Sequence, residues 1–96
     1  MLRAPDRYVP LATVHTARYD DVTVLTATLT GERCTLSATG EEVWALLQSE
    51  RRTVDRLVMA LARRSSGQAL AKVPDLVREQ LDSFVSHGFV QRVVDA

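Results

Sequence analysis

The stretch VTVLTATLTGERCTLSATGEEVWALL, residues 22–47, decides the fold. Its first eight residues are rich in β-branched side chains and alternate. Val22, Val24 and Thr26 stand against Thr23, Leu25, Ala27 and Leu29, the pattern of a half-buried strand. Thr30-Gly31 reads as a hairpin turn, with Gly31 supplying the positive φ. Glu32, Arg33, Cys34, Thr35, Leu36 and Ser37 return as the next strand. Cys34 and Leu36 share one face of it, Arg33 and Thr35 the other. Thr39-Gly40-Glu41-Glu42 reads as a capping box, with Thr39 as N-cap and Glu42 reaching back to it. The helix that follows carries Val43, Trp44, Leu46 and Leu47 on one face and stops near Ser49.

Working outward, residues 11–18 (LATVHTAR) form an earlier strand, and Asp20-Asp21 is a turn signal. The first third is therefore expected to be a three-stranded antiparallel meander. Downstream, Thr53 is an N-cap followed by Asp55 in the first turn. Val54, Leu57, Val58, Leu61 and Ala62 make a helical apolar stripe that ends around Ser65–Gly67. Ala69–Lys72 reads as a link, and Pro74 suits the first position of a third helix. That helix buries Val73, Val77, Leu81 and Phe84, with Leu76 and Val85 on its flanks. His87-Gly88 closes it through a left-handed glycine. The tail FVQRVV is extended, as a wing or packed back on the sheet. The fold class is α+β, a meander followed by three helices, the last two able to form a helix-turn-helix pair.

Composition narrows the function. Ninety-six residues make one domain, 1–96, in which residues 1–10 can be flexible. A chain of this size has little room for a deep catalytic cleft. Twelve basic and twelve acidic residues give no net charge, whereas a dedicated nucleic-acid binder shows a basic excess. A single cysteine, Cys34, excludes an internal disulfide and makes a cytoplasmic location the default. The N-terminus has no apolar core of a signal peptide, and no run is long enough to span a membrane.

No catalytic constellation is present. Cys34 lacks a companion base and reads as a small hydrophobe. His15 and His87 lie far apart, without metal spacing. Gly31, Gly40, Gly67 and Gly88 are isolated, so no phosphate loop exists. The expectation is a protein that is not an enzyme and has neither cofactor nor metal.

The ordered set of features in residues 22–47 resembles the PqqD-like family. These are a strand, a Gly turn, a short strand ending in Leu plus a small polar residue, then Thr-Gly and a helix with Val-Trp. Thr53-Val54 with Leu57, and the closing DSFVSHGFV, resemble the family's later segments, so the similarity runs over residues 11–93. There are departures: the family commonly has an aromatic at Cys34, often Asn at Ser37, and Leu at Phe89. The resemblance implies a winged helix-turn-helix, also called a RiPP recognition element. Such a domain binds the leader of a ribosomally made precursor peptide as an added strand. It implies a stand-alone member of a lasso-peptide pathway, a branch of natural product biosynthesis. There the protein presents the leader to a transglutaminase-like leader peptidase and an asparagine-synthetase-like cyclase.

On that reading, the peptide-binding residues are expected to be Glu32, Arg33, Cys34, Thr35 and Leu36 on the strand. Val73, Leu76, Val77, Gln80 and Phe84 stand on the third helix. Arg33 and Arg78 can pair with acidic leader residues, each worth about 0–1 kcal/mol if exposed. The plainer reading makes Leu36, Trp44, Val77, Leu81 and Phe84 core and Arg33 a solvated strand residue. Two other functions compete. In a winged-helix DNA regulator, Arg51, Arg52, Arg56, Arg63 and Arg64 would touch phosphates. Its recognition helix, though, would carry Asp75, Glu79 and Asp82 against Arg78 alone. A generic protein–protein adaptor would share the fold. Whether the strand edge is open, capped by residues 1–10 or paired with a second copy stays open.

Overall fold

The computed structural model describes residues 6–65 and 67–94. The order is β1 (Arg7–Pro10), β2 (Val14–Tyr19), β3 (Val22–Ala27), β4 (Glu32–Thr35), α1 (Ala38–Gln48), α2 (Val54–Ala62), α3 (Gln68–Ser86) and β5 (Val90–Val93). β2, β3 and β4 form the expected antiparallel meander, and β1 pairs with β5 in a separate two-stranded ribbon.

The alternation in β3 works as its sequence demands. Leu25 and Ala27 are buried, whereas Val22 on the other face is 40% exposed. One face of the sheet meets the helices: Leu25 stands opposite Cys34 and Thr16, and Ala27 opposite Glu32 and Val14. Strand ends are shorter than expected. β3 stops at Ala27, because the Ala27 carbonyl accepts both Thr30 N–H and Gly31 N–H and the turn spans residues 28–31. Leu29 sits in that turn and is exposed.

The helices bury the predicted stripes. Val43, Trp44, Leu46 and Leu47 of α1 join Leu57 and Leu61 of α2 and Val73, Val77, Leu81 and Phe84 of α3 in one core. Trp44 meets Phe84 edge-on, with ring centroids 5.6 Å apart.

Two helix starts differ from expectation. The N-cap of α1 is Ser37, not Thr39: the Ser37 hydroxyl accepts the Gly40 N–H at 3.1 Å. Glu42, expected to reach back to the cap, instead approaches Arg64 at 4.0 Å. Pro74 lies inside α3, which starts at Gln68 and takes in the expected link. Proline removes one N–H and clashes with the carbonyl four residues back. Pro74 is the seventh residue of α3, past the first four N–H groups that lack intrahelical partners, so the Leu70 carbonyl loses its intrahelical donor.

Residues 7–10, expected to be flexible, are strand β1; Met1–Pro5 lie outside the described residues. β1 takes the C-terminal tail as its partner, Tyr8 opposite Arg92 and Val9 opposite Gln91. Buried Tyr8 and Val90 tie the ribbon to the core. Arg92 Nε donates to Asp6 at 2.8 Å, and that carboxylate holds the guanidinium above its usual pKa. β1 therefore pairs with the tail and not with β4.

α1 and α3 end in the same motif. After α3, Phe89 N–H reaches Phe84 O and Gly88 N–H reaches Val85 O, with Gly88 at φ 78°. After α1, Arg51 N–H reaches Leu46 O and Glu50 N–H reaches Leu47 O. Here the left-handed residue is Glu50, at φ 71°. A side chain in that region costs about 1–2 kcal/mol, and the extra unfolded-state freedom of glycine offsets about half of it. Glu50→Gly is therefore expected to stabilise the fold by about 0.5–1 kcal/mol, read from the urea midpoint. No gain would show that Glu50 is held by something other than this cap.

Candidate functional site: the open edge of β4

β4 ends the order β2-β3-β4 and pairs only with β3 among the described residues. Its hydrogen-bond parity follows from one bond. Leu36 N–H donates to Thr23 O at 2.9 Å, and the register places Val24 opposite Thr35 and Leu25 opposite Cys34. In an antiparallel pair, bonded and non-bonded positions alternate. Leu36, Cys34 and Glu32 therefore turn their backbone groups inward to β3. Arg33 and Thr35 turn theirs outward, presenting two N–H and two C=O groups along the open edge. Such a row is a template for another strand.

Side chains alternate in step. Cys34 and Leu36 lie on the helix side, Cys34 half-buried and Leu36 buried. Arg33 and Thr35 lie on the outer face, both exposed. A strand added at this edge would set alternate side chains beside Cys34 and Leu36, and the others beside Arg33 and Thr35.

The helical side of the site is narrower than expected. Of the residues singled out on α3, Val73, Val77 and Phe84 are buried at 3%, 0% and 1% exposure. They are core and can only back a wall. Gln80 is half-buried where β4 passes into α1. A Cβ on Gly40 would lie 3.1 Å from Gln80 Oε1, 3.3 Å from Ser37 Oγ and 3.6 Å from Leu36 Cβ. The glycine thus lets the amide of Gln80 close over the end of the strand. Leu76, one turn earlier, is accessible but lines a separate small hollow with Thr39, Glu42 and Leu61. Arg78 lies roughly 160° round the helix from Gln80, so it does not share that flank. The flank that carries Gln80 continues instead through Ser83 and His87, both half-buried. His87 is fixed there: its Nδ1 lies 2.8 Å from Ser83 O and its ring stacks on Phe89. The i, i+3, i+7 spacing from Gln80 was the signal for these two, hidden because both are polar.

Among the described residues, no cluster of His, Cys, Asp or Glu can hold a metal, and no helix is long and apolar enough to cross a membrane. The outward backbone of β4 stands as an unpaired edge among the described residues, and Gln80 of α3 lies beside Gly40, just past its end.

The sequence matches no family model and no curated protein. Among solved structures, the chain is similar to TbiB1, determined in complex with the TbiA(beta) leader peptide. The TM-score is 0.73 at 25% identity, over 86% of this chain and 94% of that one. The resemblance read from residues 22–47 is thus borne out: the chain shares its α+β fold, over nearly its whole length, with a protein solved with a leader peptide bound.

Proposed function

We propose that the protein binds the leader segment of a ribosomally made precursor peptide as an added strand on β4. The observation that carries this is the outward-facing backbone of Arg33 and Thr35, in a fold shared with the leader-bound TbiB1. Main-chain bonds to these two residues supply register. Side-chain contacts at Cys34, Leu36 and Gln80 supply selection on the helix side, and Arg33 favours an acidic leader residue on the other. Val73, Val77 and Phe84 support the wall from within the core. Glu32 stands at its margin, and Leu76, in a hollow of its own, takes no part. The role is binding rather than catalysis. The bound leader would be presented to a transglutaminase-like leader peptidase and, in a lasso-peptide pathway, an asparagine-synthetase-like cyclase, in the cytoplasm.

A DNA-reading role finds no basic excess in α3, whose exposed surface carries Asp75, Glu79 and Asp82 against Lys72 and Arg78. Calorimetric titration with the leader of the cognate precursor is expected to give a Kd of about 1 μM or tighter, near 8 kcal/mol of binding free energy. A scrambled leader of the same composition is expected to bind at least tenfold more weakly. Equal binding of both peptides would remove leader recognition as the function.

A further inference from the structure

Leader binding leaves the arginines of α2 unused. Arg56, Met59 and Arg63 are exposed on the side away from buried Leu57 and Leu61, and Ala60 beside them packs against the core. With Arg51, just before the helix, they line a shallow hollow. Met59 is 59% exposed at its centre. The ion pairs among the described residues engage Arg64 and Arg92. The Arg51 guanidinium donates to the Ser49 hydroxyl, and among the described residues no carboxylate lies within 4.0 Å of Arg51, Arg56 or Arg63. Three uncompensated guanidiniums therefore surround a protruding, conformationally adaptable thioether.

That arrangement repels itself in the free protein and gains on meeting carboxylates. Arginine and methionine are enriched in protein interfaces, and an apolar centre within a charged rim is the anatomy of such a surface. A phosphate backbone would use the arginines but leave Met59 without a partner. The exposed surface of α3, on the helix packed against α2, sets Asp75, Glu79 and Asp82 against Lys72 and Arg78 and adds no basic excess for a polyanion. None of the residues assigned to the leader lines the α2 hollow, so both surfaces can be occupied together.

Resting on the leader-binding reading, we propose that this face of α2 docks an acidic protein surface carrying an apolar side chain, on the peptidase that acts on the bound peptide. The leader on β4 and the enzyme on α2 are then held by one domain at once.

The test uses the full chain, the cognate leader and the purified leader peptidase of the same pathway. Two variants, R56E/R63E and M59A, are compared with the unaltered protein at low and moderate salt. The expected result is a loss of peptidase affinity of at least tenfold for R56E/R63E and about threefold for M59A. Leader affinity should stay within twofold of the starting value, and the loss should shrink as salt rises. Unchanged peptidase affinity in R56E/R63E, with leader binding intact, overturns the docking surface while leaving the leader reading in place. Failure of the unaltered protein to bind leader overturns that reading instead. Tight binding of a 20-base-pair duplex that R56E/R63E abolishes would reassign the patch to nucleic acid.

Discussion

Phe84→Ala is expected to cost about 3–5 kcal/mol of folding free energy. Phe84 is 1% exposed and meets Trp44 edge-on at 5.6 Å. Truncation leaves a cavity where α1 packs on α3 and also removes an aromatic pair worth about 0.5–1.5 kcal/mol beyond its buried area. Domains of this size are stable by about 5–15 kcal/mol, so one substitution takes a large share. With a urea slope of about 1.5 kcal/mol per M, the midpoint should fall by roughly 2 M or more. A fall below about 0.5 M would mean that the core closes over the gap and that the α1–α3 contact is not central to the fold.

The second large effect concerns binding. Thr35→Pro should leave the fold nearly intact and weaken leader binding at least tenfold. The Thr35 N–H faces the open edge, where proline is tolerated because no ladder bond is lost. An added strand then loses a main-chain bond worth roughly 1 kcal/mol and meets the proline ring as well. Together these reach the 1.4 kcal/mol that corresponds to a factor of ten. Cys34→Pro is the contrast. Its N–H faces β3 by the same parity, so it should disrupt the sheet and the thermal unfolding transition with it. Leader affinity in Thr35→Pro within twofold of the unaltered protein would place the peptide somewhere other than β4.

How far the sequence led depended on whether each signal was local. The helices were legible because Val43, Trp44, Leu46 and Leu47, or Val73, Val77, Leu81 and Phe84, repeat at helical spacing and all are buried. The meander was legible because β3 alternates and turn residues flank it. The β1–β5 ribbon was not, since residues 7–10 are too few to show a period and their partner lies at the other end of the chain. The start of α3 was masked by Pro74, which suits a first helical position but here is the seventh residue of the helix. At α1 the capping-box pattern pointed to Thr39, whereas Ser37, read as the end of the strand, is the cap through its bond to the Gly40 N–H.

The candidate site was legible as a segment and not in its details. Glu32 to Leu36 could be named as an edge strand. Which backbone groups point outward depends on register, and register is set by the pairing of Leu36 with Thr23. Likewise the stripe of α3 was correct as a stripe. Periodicity alone could not tell that Val77 is sealed while Gln80 reaches the strand. The closeness of Gly40 to Gln80 is a contact between two helices, invisible in either segment alone.

The central claim is that a leader peptide pairs with the outward backbone of β4. Backbone amide NMR during a leader titration tests it most directly. The account predicts the largest shifts and slowed hydrogen exchange at Arg33 and Thr35, smaller changes at Cys34, and perturbation of the Gln80 side-chain amide. Shifts confined to β2, α2 or the β1–β5 ribbon, with Arg33 and Thr35 unmoved at saturation, would contradict it.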